Sequence, residues 1–214
     1  MINYREVIKQ LLLKTTYQVS DDCELLLRES VDMEEPGSPA RMILETIIEN
    51  IDLARAKQQP LCQSPGYLTV YITFGEKFFI PELEEIMAGA VVEATQAGYC
   101  RPSIVDPLTR KNHGDNSGYR VPNFEYEFRK GIDYIQIVPS FKGCGVELCN
   151  RMKVFTIAEI GSQYEGIKRF VLEAMSDAGG KCCLPVAIGI GIGGQMDVAA
   201  KLSRRAISLR GWQE

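Results

Sequence analysis

The chain has 214 residues, 45% of them hydrophobic, enough for one domain with a real core and a small subdomain. It carries 24 Lys and Arg against 28 Asp and Glu, a net charge of −4, with the basic residues scattered. That balance argues against a nucleic-acid partner or an anionic membrane surface. Apolar runs such as 184–192 are too short for a bilayer and are broken by Gly and Pro. The start, Met1-Ile2-Asn3-Tyr4-Arg5-Glu6, is mixed in charge and lacks a signal-peptide apolar stretch. A cytoplasmic protein is expected. Seven cysteines, an odd number, do not read as a disulfide framework in a reducing compartment. Buried inert thiols and metal or cluster ligation are the two readings left.

In chain order, Tyr4 to Lys14 carries Val7, Ile8, Leu11 and Leu12 at helical spacing. Asp21 or Asp22 is placed to cap a second helix through Leu25, Leu26 and Leu27. Glu34-Glu35-Pro36-Gly37 is a break, and Ser38-Pro39 opens a long helix ending near Lys57. The apolar face of this helix reads as Met42, Ile43, Ile47, Ile48, Ile51, Leu53 and Ala54. A turn-rich loop follows over 58–66, and Leu68 to Phe74 alternates like a strand. Pro81 to Gln96 is a helix with Leu83, Ile86, Met87, Ala90 and Val91 inward. Val121 to Phe128 and Ile132 to Val138 read as a hairpin turning at Arg129-Lys130-Gly131. Tyr164 to Ala178 is a helix, Val186 to Ile190 a short buried strand, and Gln195 to Ser208 a last helix. The fold class is therefore mixed α/β (α+β): a helical part over about 1–60, then a small mixed sheet flanked by helices. The expected organisation is one domain over 1–214.

Four segments carry a family resemblance. They are Arg55-Ala56-Lys57 with Gln59-Pro60-Leu61-Cys62-Gln63; Gly98 to Ser103 leading into Asp106 to Asn116; Pro139 to Glu147; and Gly179-Gly180-Lys181-Cys182-Cys183-Leu184-Pro185 running into Gly189 to Gly194 and Asp197. Together, from about residue 5 to about 208, the chain resembles the α portion of iron–sulfur hydro-lyases, the class I fumarase and L(+)-tartrate dehydratase group. The resemblance implies a [4Fe–4S] cluster held by three cysteines, with one iron left open to polarise the substrate hydroxyl. The first two ligands fall on Cys62 and Cys183. The third lies past residue 214; Cys144, then Cys149, are the internal candidates to replace it.

On the substrate side, Gln63 and Arg101 match residues that hold substrate, an arginine fork suiting a carboxylate. Gly143 and Gly145 match glycines that let backbone approach substrate, and Asn112, a further substrate-binding candidate, matches with Gly114 and Asn116 a turn beside the site. Where the family has an acid two residues after the first cysteine, this chain has Ser64, followed by Pro65. A serine hydroxyl is far too weak an acid to stand in, so no catalytic base is assigned. Val146 and Leu148 also replace polar residues of the family. The resemblance further implies a β-type partner subunit, a homodimer of this chain within a larger oligomer, and a small dicarboxylate or hydroxy-acid substrate. The alternative is a non-catalytic structural or regulatory paralogue, favoured by Ser64 and by the missing third cysteine.

Two rival motifs are weaker. Gly189 to Gly194 satisfies G-x-G-x-x-G, but the acidic residue expected on a second strand is absent, with Arg210 and Trp212 there instead. His113, the only histidine, sits in a polar turn and reads as a loop residue; no zinc-type spacing is present.

Overall fold

The computed structural model describes residues 3–212, which divide by their contacts into two compact units, 3–142 with 211–212 and 143–210. The first unit opens with α1 (Tyr4–Tyr17), α2 (Asp21–Met33) and α3 (Pro39–Lys57). Asn3 caps α1 through its side chain, and Ser38 caps α3 ahead of Pro39. At α2 the cap position falls on Ser20, not on Asp21 or Asp22. The side chain of Asp22 instead accepts the N–H groups of Cys23 and Trp212.

The inward face of α3 also differs from expectation. Leu44, Ile51 and Ala54 are buried, whereas Met42, Ile43 and Leu53 are exposed. The helix is apolar on more than one side, so periodicity alone could not choose the face. Across α2 and α3, Glu24 pairs with both Arg28 and Arg55, and Arg28 reaches Asp52.

The sheet has three strands in the order β2-β1-β3. β1 (Tyr67–Phe74) is central, β2 (Asn123–Phe128) runs parallel to it and β3 (Ile135–Lys142) antiparallel. The expected hairpin between the last two strands is thus corrected: both pair with β1, from opposite sides. The 129–134 connection crosses the end of β1, where Arg129 N–H donates to the Phe74 carbonyl at 2.9 Å. Gly75 makes the crossing possible, because a Cβ there would collide with the Ile132 carbonyl. Central placement suits β1, whose Leu68, Val70, Tyr71 and Ile72 are all buried.

α4 (Leu83–Gln96) begins two residues later than the apolar pattern suggests, with Pro81 in the preceding turn. Leu83, Met87, Ala90, Val91 and Ala94 of α4 pack with Ile8 and Leu12 of α1 on Leu68, Val70 and Ile72 of β1. Fully burying side chains such as Leu12, Ile72, Leu83 and Met87 stabilises by about 1.5–3 kcal/mol each.

The second unit holds α5 (Cys144–Leu148), α6 (Ile157–Ile160), α7 (Glu165–Ala178) and α8 (Met196–Leu209). Thr156 and Glu159 form a capping box on α6, and Glu147 of α5 pairs with Arg204 of α8. Residues 186–190 are not a strand but an irregular segment, with Ile188 and Ile190 exposed. Its glycines, not its isoleucines, make the close contact with α8. Gly189 and Gly191 lie so close to α8 that a Cβ would strike the carbonyls of Ser203 and Ala199, and Ser203 Oγ donates to the Gly189 carbonyl at 2.9 Å. Only Ala178 is buried in the helices of this unit, and Ile157, Leu172, Ile192 and Met196 stand exposed. Among the described residues no helix is long and apolar enough to cross a membrane.

Candidate functional site

The Cys62 loop is held from behind. α3 ends with Gln58 in the left-handed region, and Gln59 N–H returns to the Ala54 carbonyl. Leu61 is then fixed at both backbone groups: its N–H donates to Thr16 O at 2.9 Å, and its carbonyl accepts from Asn50 Nδ2 at 3.0 Å. Cys62 and Gln63 follow, both exposed. The N–H of Ser64 points back at Cys62 Sγ at 3.4 Å. Ser64 and Pro65 are half-buried between this thiol and β1.

Arg101 lies on the segment after α4, and Asn116 organises that segment. Asn116 is 6% exposed with φ +58°. Its Oδ1 accepts from Ser103 N–H and Ile104 N–H at 3.1 and 3.3 Å. Its Nδ2 donates to Thr95 Oγ1 and to the Arg101 carbonyl, each at 3.0 Å. One amide thus satisfies four groups and ties the Arg101 backbone to the end of α4. Asn112 works similarly nearby: Nδ2 donates to the Pro102 carbonyl at 2.9 Å and Oδ1 accepts from Gly114 N–H at 2.7 Å. The amide of Asn112 is therefore engaged by its own loop. The Arg101 side chain is exposed and makes no ion pair among the described residues.

Two aspartates of this loop could be mistaken for bases. Asp106 is held below the usual carboxylate range, chiefly by the backbone N–H and then the hydroxyl of Thr109. Asp115 is lowered the same way by the hydroxyl and N–H of Ser117. Both are turn-forming anions. His113 is exposed in the same loop.

In the second unit Gly143 is the N-cap residue of α5, and Cys144 is exposed. A Cβ on Gly145 would lie 3.3 Å from Cys183 N and 3.4 Å from Cys182 Cα, so the Gly143–Gly145 turn lies directly on the Cys182–Cys183 backbone. Cys183 is exposed, while Cys182 is half-buried with Sγ 3.6 Å from the Gly179 carbonyl. The Cys149 thiol is pushed up, first by burial and then by its contact with Cys182. The expected site residues thus form two local sets. Cys62, Gln63, Arg101 and Asn112 lie on two loops of the first unit; Gly143, Cys144, Gly145 and Cys183 form one surface of the second. Among the described residues no three His, Cys, Asp or Glu side chains are gathered to hold a metal. Cys62 in the first unit and Cys183 in the second are each an exposed thiol on a loop.

The G-x-G-x-x-G run lacks the preceding strand that a nucleotide site needs, and close packing on α8 accounts for its first two glycines, Gly189 and Gly191. The anchoring role of Asn116 was missed by the sequence reading, which saw only a turn. A polar Asn at the close of a loop is the one signal available there.

Residues 5–214 match the family model described as fumarate hydratase (Fumerase). The chain belongs to the fumarate hydratase family. It is 36% identical over 207 residues to a Methanocaldococcus jannaschii protein provisionally named L(+)-tartrate dehydratase subunit alpha, covering 94% of this chain and 71% of that one. It is 30% identical over 203 residues to the L(+)-tartrate dehydratase subunit alpha of Escherichia coli, covering 94% and 66%. A Geobacillus stearothermophilus protein provisionally named a class I fumarate hydratase is 30% identical over 207 residues, with 94% of this chain but 40% of that protein covered. The chain therefore spans between two fifths and seven tenths of the length of these family members.

Proposed function

We propose that this chain is the α-type subunit of a cytoplasmic iron–sulfur hydro-lyase, adding or removing water on a small dicarboxylate or hydroxy acid of the fumarate or tartrate kind. The observation that carries the reading is the family membership over residues 5–214 together with exposed thiols at both cysteine positions that match the family's ligands. Cys62 and Cys183 hold the [4Fe–4S] cluster; Cys144 is the reserve donor on this chain. Cys183 is preferred over Cys182 because Cys182 is half-buried and engaged with Gly179 and Cys149. When bound, the cluster supplies a Lewis-acidic position for the hydroxyl of the substrate.

The chain's own residues bind and orient. Arg101 grips a substrate carboxylate bidentately, on a backbone that Asn116 immobilises. Gln63, on the Cys62 loop, is a second donor for the substrate, and Gly143 and Gly145 are the glycines that would let it approach the backbone. Asn112 holds the Arg101 loop in shape. Asp106 and Asp115 are fixed in turns, and Ser64 stands where the family has its acid. The base comes from a β-type partner subunit, in an oligomer built on a homodimer of this chain. The exposed Ile157, Leu172, Ile192 and Met196 supply apolar surface of the kind that partners cover.

The test is anaerobic turnover of fumarate, malate and tartrate by the complex of this chain with its partner subunit. Arg101→Ala should lower kcat/KM about a hundredfold or more, by loss of a charge-assisted carboxylate contact. Ser64→Asp, which sets a carboxylate beside the substrate's own, should lower turnover further rather than restore it. A complex that carries its cluster and turns over none of these acids would favour the structural paralogue that Ser64 suggests.

A further inference from the structure

Away from the loops described above, the first unit carries an open surface depression of about 480 Å³ that the proposed reaction does not use. It is lined by Phe74, Phe79, Pro81, Glu82, Glu84, Glu85 and Tyr126, with no lysine or arginine among them. Three rings make its apolar wall. Phe74 meets Phe79 at 6.2 Å between centroids, tilted by 52°, and meets Tyr126 edge-on at 6.2 Å and 89°. Phe79 is 66% exposed and leaves its ring open to a ligand.

The carboxylates stand at the start of α4, where acids are ordinarily explained by the helix dipole. The magnitudes do not close here. A helix N-terminus presents roughly half a positive charge, against three carboxylates. Glu84 is further fixed by the Tyr126 hydroxyl, which donates to its Oε1 at 2.8 Å. Glu82 and Glu85 have no ion-pair partner among the described residues and are exposed at the rim. Aromatic faces with a negative rim favour one ligand chemistry: an organic cation, whose charge the ring quadrupoles and carboxylates stabilise together.

We propose that this depression binds a guanidinium or alkylammonium group, carried either by a small molecule or by a basic side chain of a peptide. The cation lies against Phe79 and Phe74, with Glu82 and Glu85 neutralising it and Tyr126 holding Glu84 in place.

The test uses the full chain at low ionic strength, titrated with Nα-acetylarginine amide and with its neutral isostere, Nα-acetylcitrulline amide, and followed by calorimetry or NMR shifts. Millimolar binding of the arginine probe, at least tenfold tighter than the citrulline probe, is expected. Glu82→Gln with Glu85→Gln should weaken it about tenfold, and Phe79→Ala about threefold or more. These residues are on the surface, and unchanged circular dichroism will show that the variants fold. A capped Ala-Arg-Ala peptide that binds tighter than the single residue identifies a peptide source; equal binding identifies a small cation. Equal affinity for the arginine and citrulline probes, or variants that leave binding unchanged, would overturn the proposal.

Discussion

Replacing Asn116 should be damaging although the residue lies outside the apolar core. In Asn116→Ala the four hydrogen bonds of the amide disappear, but their partners do not suffer equally. Ser103 N–H keeps its bond to the Arg101 carbonyl at 2.8 Å, and Thr95 Oγ1 still donates to Val91 O. Ile104 N–H, on a buried residue, is left with nothing. An orphaned buried donor costs about 1–3 kcal/mol. Alanine at φ +58° adds about 1 kcal/mol of backbone strain that asparagine largely avoids. The expected loss is therefore about 2–4 kcal/mol, or about 5–15 °C in Tm for a protein of this size. Urea unfolding of wild type, Asn116→Ala and Asn116→Gly measures it. Asn116→Gly removes the strain and keeps the hydrogen-bond loss, so it should lie about 1 kcal/mol above Asn116→Ala. A loss below about 0.5 kcal/mol for Asn116→Ala, or no difference between the two variants, would refute the reasoning.

Three further outcomes follow from the same geometry. Gly191→Ala should destabilise the second unit by about 1–3 kcal/mol or more, since its Cβ meets the Ala199 carbonyl; limited proteolysis of the variant should cut within 143–210 first. Glu24→Gln should cost about 1 kcal/mol near neutral pH. The Glu24 carboxylate is held low by Arg55 first and Arg28 second, so its contribution is full above its unfolded pKa and vanishes as pH falls through the lowered folded value; wild type and variant should converge in acid. The Cys100 thiol, pushed up to about 11 by burial, should resist iodoacetamide at pH 8 while Cys62, Cys144 and Cys183 react, as mass mapping of the native protein will show.

Legibility of the fold from sequence followed the strength of the local signal. α1, α3, α4 and α8 were legible because apolar spacing marks them, reinforced by the side-chain caps Asn3 on α1 and Ser38 on α3. The strand order was not, because β2 and β3 are close in sequence and nothing local tells a hairpin from a crossover. Only Gly75, whose missing side chain admits the Ile132 carbonyl, hints at the chain passing over β1. The run 186–190 misled because alternating Gly and Ile look like a buried strand, whereas the glycines serve close packing on α8. For the proposed site, the resemblance nominates Cys62, Arg101 and Cys183 by motif. It could not show that Asn112 is engaged by its own loop or that Asn116 anchors the Arg101 backbone, since both depend on tertiary hydrogen bonds.

The account stands most directly on which thiols carry iron. Anaerobic reconstitution of the chain with iron and sulfide, followed by metal and sulfide analysis and electron paramagnetic resonance, should be done for wild type and for Cys62→Ser, Cys182→Ser and Cys183→Ser. The account predicts a cluster in wild type and Cys182→Ser, and its loss in Cys62→Ser and Cys183→Ser. Retention of the cluster in Cys183→Ser with loss in Cys182→Ser, or no iron bound by the wild-type chain together with its partner subunit, would contradict it.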